Sequence, residues 1–183
     1  MNSCLVVVDI QNDYFPGGSM ELVGIRPAAE NAQLLLNHFR TSKLPVIHIQ
    51  HIAARPDATF FLPDTEGAKI HAMVTPREDE IVVVKHFPNS FRHTQLLEIL
   101  KRQESSHLVI CGAMTHMCVD STTRAAFDHG FTCTVVEDAC ATKDLAYRNM
   151  TVKAAEVQAS FMAALSVPFA RIIATKDLVK SGL

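Results

Sequence analysis

The sequence predicts an α/β fold: an open parallel β-sheet with helices packed on both faces. Two observations carry this. Short apolar runs alternate with helical patterns from one end of the chain to the other, the signature of repeated strand–helix–strand units. The first run, Leu5-Val6-Val7-Val8, has no polar alternation, as expected of a strand buried on both faces. No repeat, low-complexity tract or linker divides the chain, so residues 1–183 read as one domain.

The elements follow in order. After the first strand, Pro27 suits a helix first turn, and Ala28, Ala32, Leu35, Leu36 and Phe39 follow at helical spacing. Pro45 leads into a second strand, Val46 to Ile49, and Ile81 to Val84 is a third. Ser90 suits the cap of a helix carrying Leu96, Leu97 and Leu100. Leu108 to Cys111 is a fourth strand ending at Gly112, and a helix runs from about Met117 to His129, with Gly130 as its stop signal. Thr132 to Val136 is a fifth strand. Met150, Ala154, Val157, Phe161 and Leu165 mark a long amphipathic helix, and Phe169 to Ala174 is a sixth strand. From Ile52 to Glu80 no regular element is evident. Loops that long are often lids or binding loops, and Phe60, Phe61 and Leu62 are placed to close over a site or to pack against another subunit. The plainer alternative is a surface excursion with one or two short helices.

Composition excludes several roles. At 48% hydrophobic and 20% charged, the chain has the profile of a globular protein able to bury a core without disulfides. A net charge of -2 builds no cationic field, which argues against nucleic acid as a partner. No apolar run approaches the roughly 20 residues of a membrane span, and the N-terminus lacks the basic region of a signal peptide. Cys4, Cys111, Cys118, Cys133 and Cys140 are odd in number and contain no Cys-x-x-Cys pair, which points to reduced thiols and a cytoplasmic location. Neither G-x-G-x-x-G nor G-x-x-x-x-G-K-[ST] occurs, so nothing marks a nucleotide site.

Open α/β sheets bind ligands at the carboxyl ends of their strands. Asp9 ends the first apolar run, Lys85 ends the third, and Cys118 follows the fourth at the start of a helix. A thiol there feels the positive end of the helix dipole, with Thr115 as cap, and this favours thiolate. Asp9 is suited to take the thiol proton and return it to a leaving group, and Lys85 to stabilise the thiolate. Backbone N–H groups around Met114 and Cys118 are placed to form an oxyanion hole. Each residue alone has an ordinary explanation: a buried small hydrophobe, a turn residue, a surface lysine. Topology by itself leaves both readings open.

Three segments go further. Val7-Val8-Asp9-Ile10-Gln11-Asn12-Asp13-Tyr14-Phe15, Val84-Lys85-His86-Phe87-Pro88-Asn89-Ser90-Phe91 and Gly112-Ala113-Met114-Thr115-His116-Met117-Cys118-Val119 resemble the D-x-Q-N-D-F, K-x-x-x-S-x-F and G-x-x-T-x-x-C-V segments of the isochorismatase-like cysteine hydrolase superfamily. Ala125-Ala126 and Glu137-Asp138-Ala139 match further positions, and the resemblance spans nearly the whole chain. It implies a three-layer α/β/α fold with six parallel strands, an Asp9–Lys85–Cys118 triad, a cis peptide between Ala113 and Met114, and an oxyanion hole from the Met114 and Cys118 N–H groups. It implies no redox cofactor and a homo-oligomer, to which Leu178, Val179 and Leu183 are candidate contributors.

Two departures narrow the chemistry. Nicotinamidases of this superfamily carry a metal on a D-x-H motif after the second strand. Here that region reads His48-Ile49-Gln50-His51-Ile52, and two histidines three apart on a strand point to opposite faces, so no catalytic metal is expected. Isochorismatases proper cleave a vinyl ether without a nucleophilic cysteine, whereas Cys118 favours hydrolysis of a C–N bond in a small amide, ureido or carbamoyl compound. Gln11, Phe15, Asn89, Phe91 and His116 are pocket candidates by position. The competing readings are vinyl-ether hydrolysis, a non-catalytic binding member of the fold, and a thiol redox sensor. The last lacks a resolving cysteine other than Cys111, inside the fourth strand.

Overall fold

A computed structural model of the chain describes residues 2–181. Six strands form one sheet: β1 (Ser3–Val8), β2 (Val46–His51), β3 (Ile81–Lys85), β4 (His107–Ala113), β5 (Thr132–Ala141) and, after an antiparallel hairpin of β6 (Leu145–Tyr147) and β7 (Met150–Val152), β8 (Arg171–Ile173). Their order is β3-β2-β1-β4-β5-β8, and every neighbouring pair in this sheet is parallel. The direction of winding reverses between β1 and β4, so the crevice at the carboxyl ends of these two strands is the switch point where such sheets bind ligands.

Helices cover both faces, as the continuous apolar runs demand. One core layer joins Leu5, Val7 and Val109 to Ala28, Ala32, Leu35, Leu36 and Phe39 of α1 (Ile25–Thr41) and Leu178 of α5 (Thr175–Ser181). The other joins Val6, Val8, Ile47 and Ile110 to residues of α2 (Leu96–Arg102), α3 (Asp120–Asp128) and α4 (Ala154–Leu165). Gly112 sets how closely β1 and β4 meet: its φ is 126°, and a Cβ there would run into the Val8 carbonyl oxygen.

Several local expectations need correction. Ser90 does not cap α2, which begins at Leu96; instead its hydroxyl pairs with Thr122 Oγ1 at 2.8 Å, pinning the segment after β3 to α3. Met150 lies in β7, and α4 begins only at Ala154, whose N–H is taken by Asp144 Oδ1 at 2.8 Å. Leu178 is buried beneath α1 and cannot serve an interface. Val179 is partly exposed, and Leu183 lies outside the described residues.

The segment from Ile52 to Glu80 carries one 3-10 turn, Ala72–Val74, and is tied to the sheet rather than loose over it. The buried Asp13 carboxylate accepts from Phe61 N (2.6 Å) and Ser19 N (3.1 Å), and Asp13 N donates to Gly67 O. A side chain at Gly67 would collide with that carboxylate. Phe61 is buried, with ring centroids 4.6 Å from Tyr14 and 5.9 Å from His51.

Candidate active site

Asp9 is the first residue after β1 and takes a left-handed φ of 48°. Lys85 is the last residue of β3, and Cys118 sits in a π-helical turn, Thr115–Val119, that leads into α3. Three separate strand ends therefore deliver the three side chains to the switch point. Lys85 Nζ is 2.8 Å from Asp9 Oδ2. Asp9 and Lys85 are 0% exposed and Cys118 is 3% exposed. The Asp9 carboxylate is also in side-chain hydrogen-bond reach of Cys118.

A fourth side chain joins them. His51, the last residue of β2, lies beside Lys85 in the sheet register, and its Nδ1 is 3.1 Å from Lys85 Nζ and 4.0 Å from Asp9 Oδ2. Donor atoms of Asp9, His51 and Cys118 all lie within 4.8 Å of one another. Such a set has the chemistry of a transition-metal site, but the Lys85 ammonium already rests against two of its donors. His48 is not part of it: its Nε2 pairs with Glu80 at 2.9 Å in a separate cluster. The same strand-end rule that singled out Asp9 and Lys85 would have found His51 had β2 been drawn two residues longer.

Electrostatics pull on Cys118 in both directions. Burial pushes the Cys118 thiol well above its ordinary range, Asp9 adds to the effect, and Lys85 offsets only part of it. Thr115 does not cap the turn; its hydroxyl donates to Gln158 Oε1 at 2.6 Å, with Ala141 O a longer alternative at 3.2 Å. Burial works against the Lys85 ammonium, but Asp9 and Cys118 outweigh it and leave its pKa raised. Burial lowers His51 to about 4, Lys85 and His86 acting in the same sense and Asp9 against. Tyr14, buried nearby, is held un-ionised by burial and then by Cys118, Asp9 and Asp13, a neighbour that the sequence reading passed over.

The Ala113–Met114 peptide is cis. The pocket candidates disperse. Gln11 spends its amide on backbone: Nε2 donates to His51 O (2.8 Å) and Ala68 O (2.7 Å), and Oε1 accepts from His51 N (2.7 Å). Phe15 is buried and stacks on His71 at 3.6 Å. Asn89 Oδ1 accepts from Phe91 N, shaping its own turn, and Phe91 packs on His129 and Phe131. His116 Nδ1 pairs with Thr142 Oγ1 at 2.6 Å. Two cavities, of about 350 Å³ beside Arg40, Arg77 and Glu80 and about 250 Å³ beside Val23, Cys140 and Gln158, both lie away from the triad.

The isochorismatase domain pattern matches residues 3–167. The chain belongs to the isochorismatase family. An isochorismatase family protein of Bacillus subtilis is 49% identical over 98% of this chain and 100% of its own length. A solved structure from Oleispira antarctica, described as an isochorismatase hydrolase, superimposes with a TM-score of 0.95 at 47% identity, covering 98% of this chain and 96% of that one. A streptothricin hydrolase of Streptomyces noursei is 33% identical over 77% of this chain and 50% of its own length. The chain is a hydrolase of the six-stranded parallel fold that its sequence predicted. Among its described residues no helix is long and apolar enough to cross a membrane.

Proposed function

We propose that this chain is a cysteine-dependent amidohydrolase that cleaves the C–N bond of a small amide, ureido or carbamoyl compound through a thioester on Cys118. The observation that supports it best is a carboxylate shared between an ammonium and a thiol. Asp9 Oδ2 is held by Lys85, and the same buried carboxylate is in side-chain hydrogen-bond reach of Cys118, whose protonated form burial favours. A carboxylate so placed is positioned to take the thiol proton.

In this reading Asp9 accepts the Cys118 proton as sulfur attacks the carbonyl carbon. Lys85 keeps its charge and offsets the negative charge that moves between Asp9 and Cys118. The Met114 and Cys118 N–H groups receive the oxyanion. Collapse breaks the C–N bond and Asp9 returns the proton to the departing amine or ammonia. Water then attacks the thioester, Asp9 takes its proton, and the acid and free thiol are restored. A triad this enclosed suits a small substrate. The streptothricin hydrolase relative supports hydrolysis as the reaction class.

The test incubates the protein with a panel of small amides, ureido and carbamoyl compounds, quenches in acid, and measures intact mass and released ammonia or amine. An acyl adduct on the Cys118 peptide, absent from Cys118→Ala, is expected. Turnover that survives Cys118→Ala would reject the thioester.

A further inference from the structure

We propose that His51 is a fourth working member of this site, a positioning residue whose neutral ring, through Nδ1, aims the Lys85 ammonium at Asp9 and Cys118. The inference rests on the cysteine-nucleophile reading above and extends it.

Lys85 Nζ has three N–H bonds to give. Four nitrogen and oxygen acceptors are in reach, Asp9 Oδ2 at 2.8 Å, Phe87 O at 3.0 Å, His51 Nδ1 at 3.1 Å and Pro88 O at 3.3 Å, with the Cys118 sulfur also in hydrogen-bond reach. The two carbonyls belong to the turn directly after Lys85 itself. Asp9 and His51 reach it from the ends of β1 and β2 and Cys118 from the π-helical turn, so these three fix where the ammonium sits across the sheet edge. An ammonium can only donate. His51 Nδ1 must therefore accept, which places the ring proton on Nε2 and requires an uncharged ring.

The ring is held for this task. Both backbone groups of His51 are bracketed by the one side-chain amide of Gln11, two residues beyond Asp9. The turn that carries Asp9 thus also fixes the residue that aims its partner. His51 is also the open side of the set, its side chain 19% exposed where those of Asp9 and Lys85 are 0%. The charged or titratable groups that face it are Asp9 from the end of β1, Lys85 and His86 from β3 and its end, and Cys118 from the π-helical turn. Protonating the ring would remove the acceptor and set a second cation beside a buried ammonium, turning Lys85 away.

The test needs no substrate. Carbamidomethylation of Cys118 by limiting iodoacetamide is followed by peptide mapping against pH for the natural protein, His51→Leu and His51→Asn. Asn keeps an acceptor near the position of Nδ1 and cannot titrate, whereas Leu fills the space without one. The expected result is a rate at neutral pH at least about tenfold lower in His51→Leu, with its pH profile displaced upward, and recovery of at least about a third of the rate in His51→Asn. Equal profiles for the natural protein and His51→Leu would overturn the role of His51 while leaving the nucleophile standing. A Cys118 that reacts no faster than buried Cys111 in the natural protein would overturn the nucleophile, and this proposal with it. A second measurement serves should His51→Leu fail to fold. Nitrogen-15 spectra of the natural protein should show His51 as the Nε2–H tautomer, uncharged at neutral pH; an Nδ1–H tautomer, or a charged ring there, would reject the hydrogen bond on which the argument turns.

Discussion

Two histidines three residues apart on β2 enter two ionic clusters, one around a partly buried ion pair and one around a fully buried pair, and the clusters are built to opposite ends. His48 joins Glu80 and Arg40. Glu80 Oε1 accepts from Arg40 Nε at 2.7 Å, and Oε2 accepts from Arg40 Nη2 at 2.7 Å, His48 Nε2 at 2.9 Å and Arg77 N at 2.9 Å. Both oxygens are spent on donors drawn from α1, β2 and the end of the long loop. His51 joins Asp9 and Lys85, where the carboxylate is shared between the ammonium and the Cys118 thiol. A saturated carboxylate fixes three elements in place and offers no chemistry. A fully buried carboxylate next to a thiol is costly to fold and ready to move a proton. The difference marks which cluster is structural and which is the candidate for catalysis, although both are built from a carboxylate, a cation and a histidine.

The sharpest way to break this contrast is to delete the reacting group in one cluster and the acceptor in the other. Cys118→Ala should lower turnover of an accepted amide by about a thousandfold or more, while unfolding free energy changes by about 1 kcal/mol or less. Glu80→Gln should do the reverse. It leaves the Arg40 guanidinium and His48 short of their charged partner and should cost roughly 3 kcal/mol in urea unfolding, with turnover per folded molecule unchanged. If Glu80→Gln lowered turnover as strongly as stability, the two clusters would be coupled through β2 and the division would fail.

How much of this was legible beforehand depends on what each residue's neighbours are. The parallel sheet was readable because Leu5-Val6-Val7-Val8, Val46-Ile47 and Leu108-Val109-Ile110 are buried on both faces, and burial on both faces leaves a continuous apolar run. Asp9, Lys85 and Cys118 meet because strand ends in such a sheet share one edge, a consequence of topology alone. His51 was missed because Gln50 and His51 look like the polar exit from a strand, and β2 was ended at Ile49. Their place in the ladder is set by pairing with Val84 and Lys85, which is not visible along one chain segment. Thr115 and Ser90 were misread as caps because Ser and Thr favour helix starts; here tertiary partners, Ala141 with Gln158 and Thr122, claim their hydroxyls instead. A helix start can likewise be counted from sequence, but the burial that opposes a thiolate there cannot.

Proton linkage separates the two clusters most finely. Burial leads the causes that lower His51 to about 4 from an ordinary 6.5. A lowered histidine favours its neutral form in the folded state, so its contribution is complete above the unfolded value and is lost as pH falls from about 6.5 to about 4, roughly 3 kcal/mol in all. His48, also lowered chiefly by burial, acts in the same direction from the same starting value. Glu80 runs over a lower window. Burial opposes its charge, but the Arg40, Arg77 and His48 hydrogen bonds overcome it and bring the carboxyl down to about 2 from 4.5. Its contribution, again roughly 3 kcal/mol, is complete above about 4.5 and is lost as pH falls toward 2. Urea unfolding across this range should therefore show stability falling in two overlapping stages. His51→Leu should shrink the upper stage to what His48 supplies and leave the lower one, whereas Glu80→Gln should flatten the lower one. An upper stage that persists in full in His51→Leu would assign it to His48, and would mean that the His51 ring is not held neutral by the site it borders.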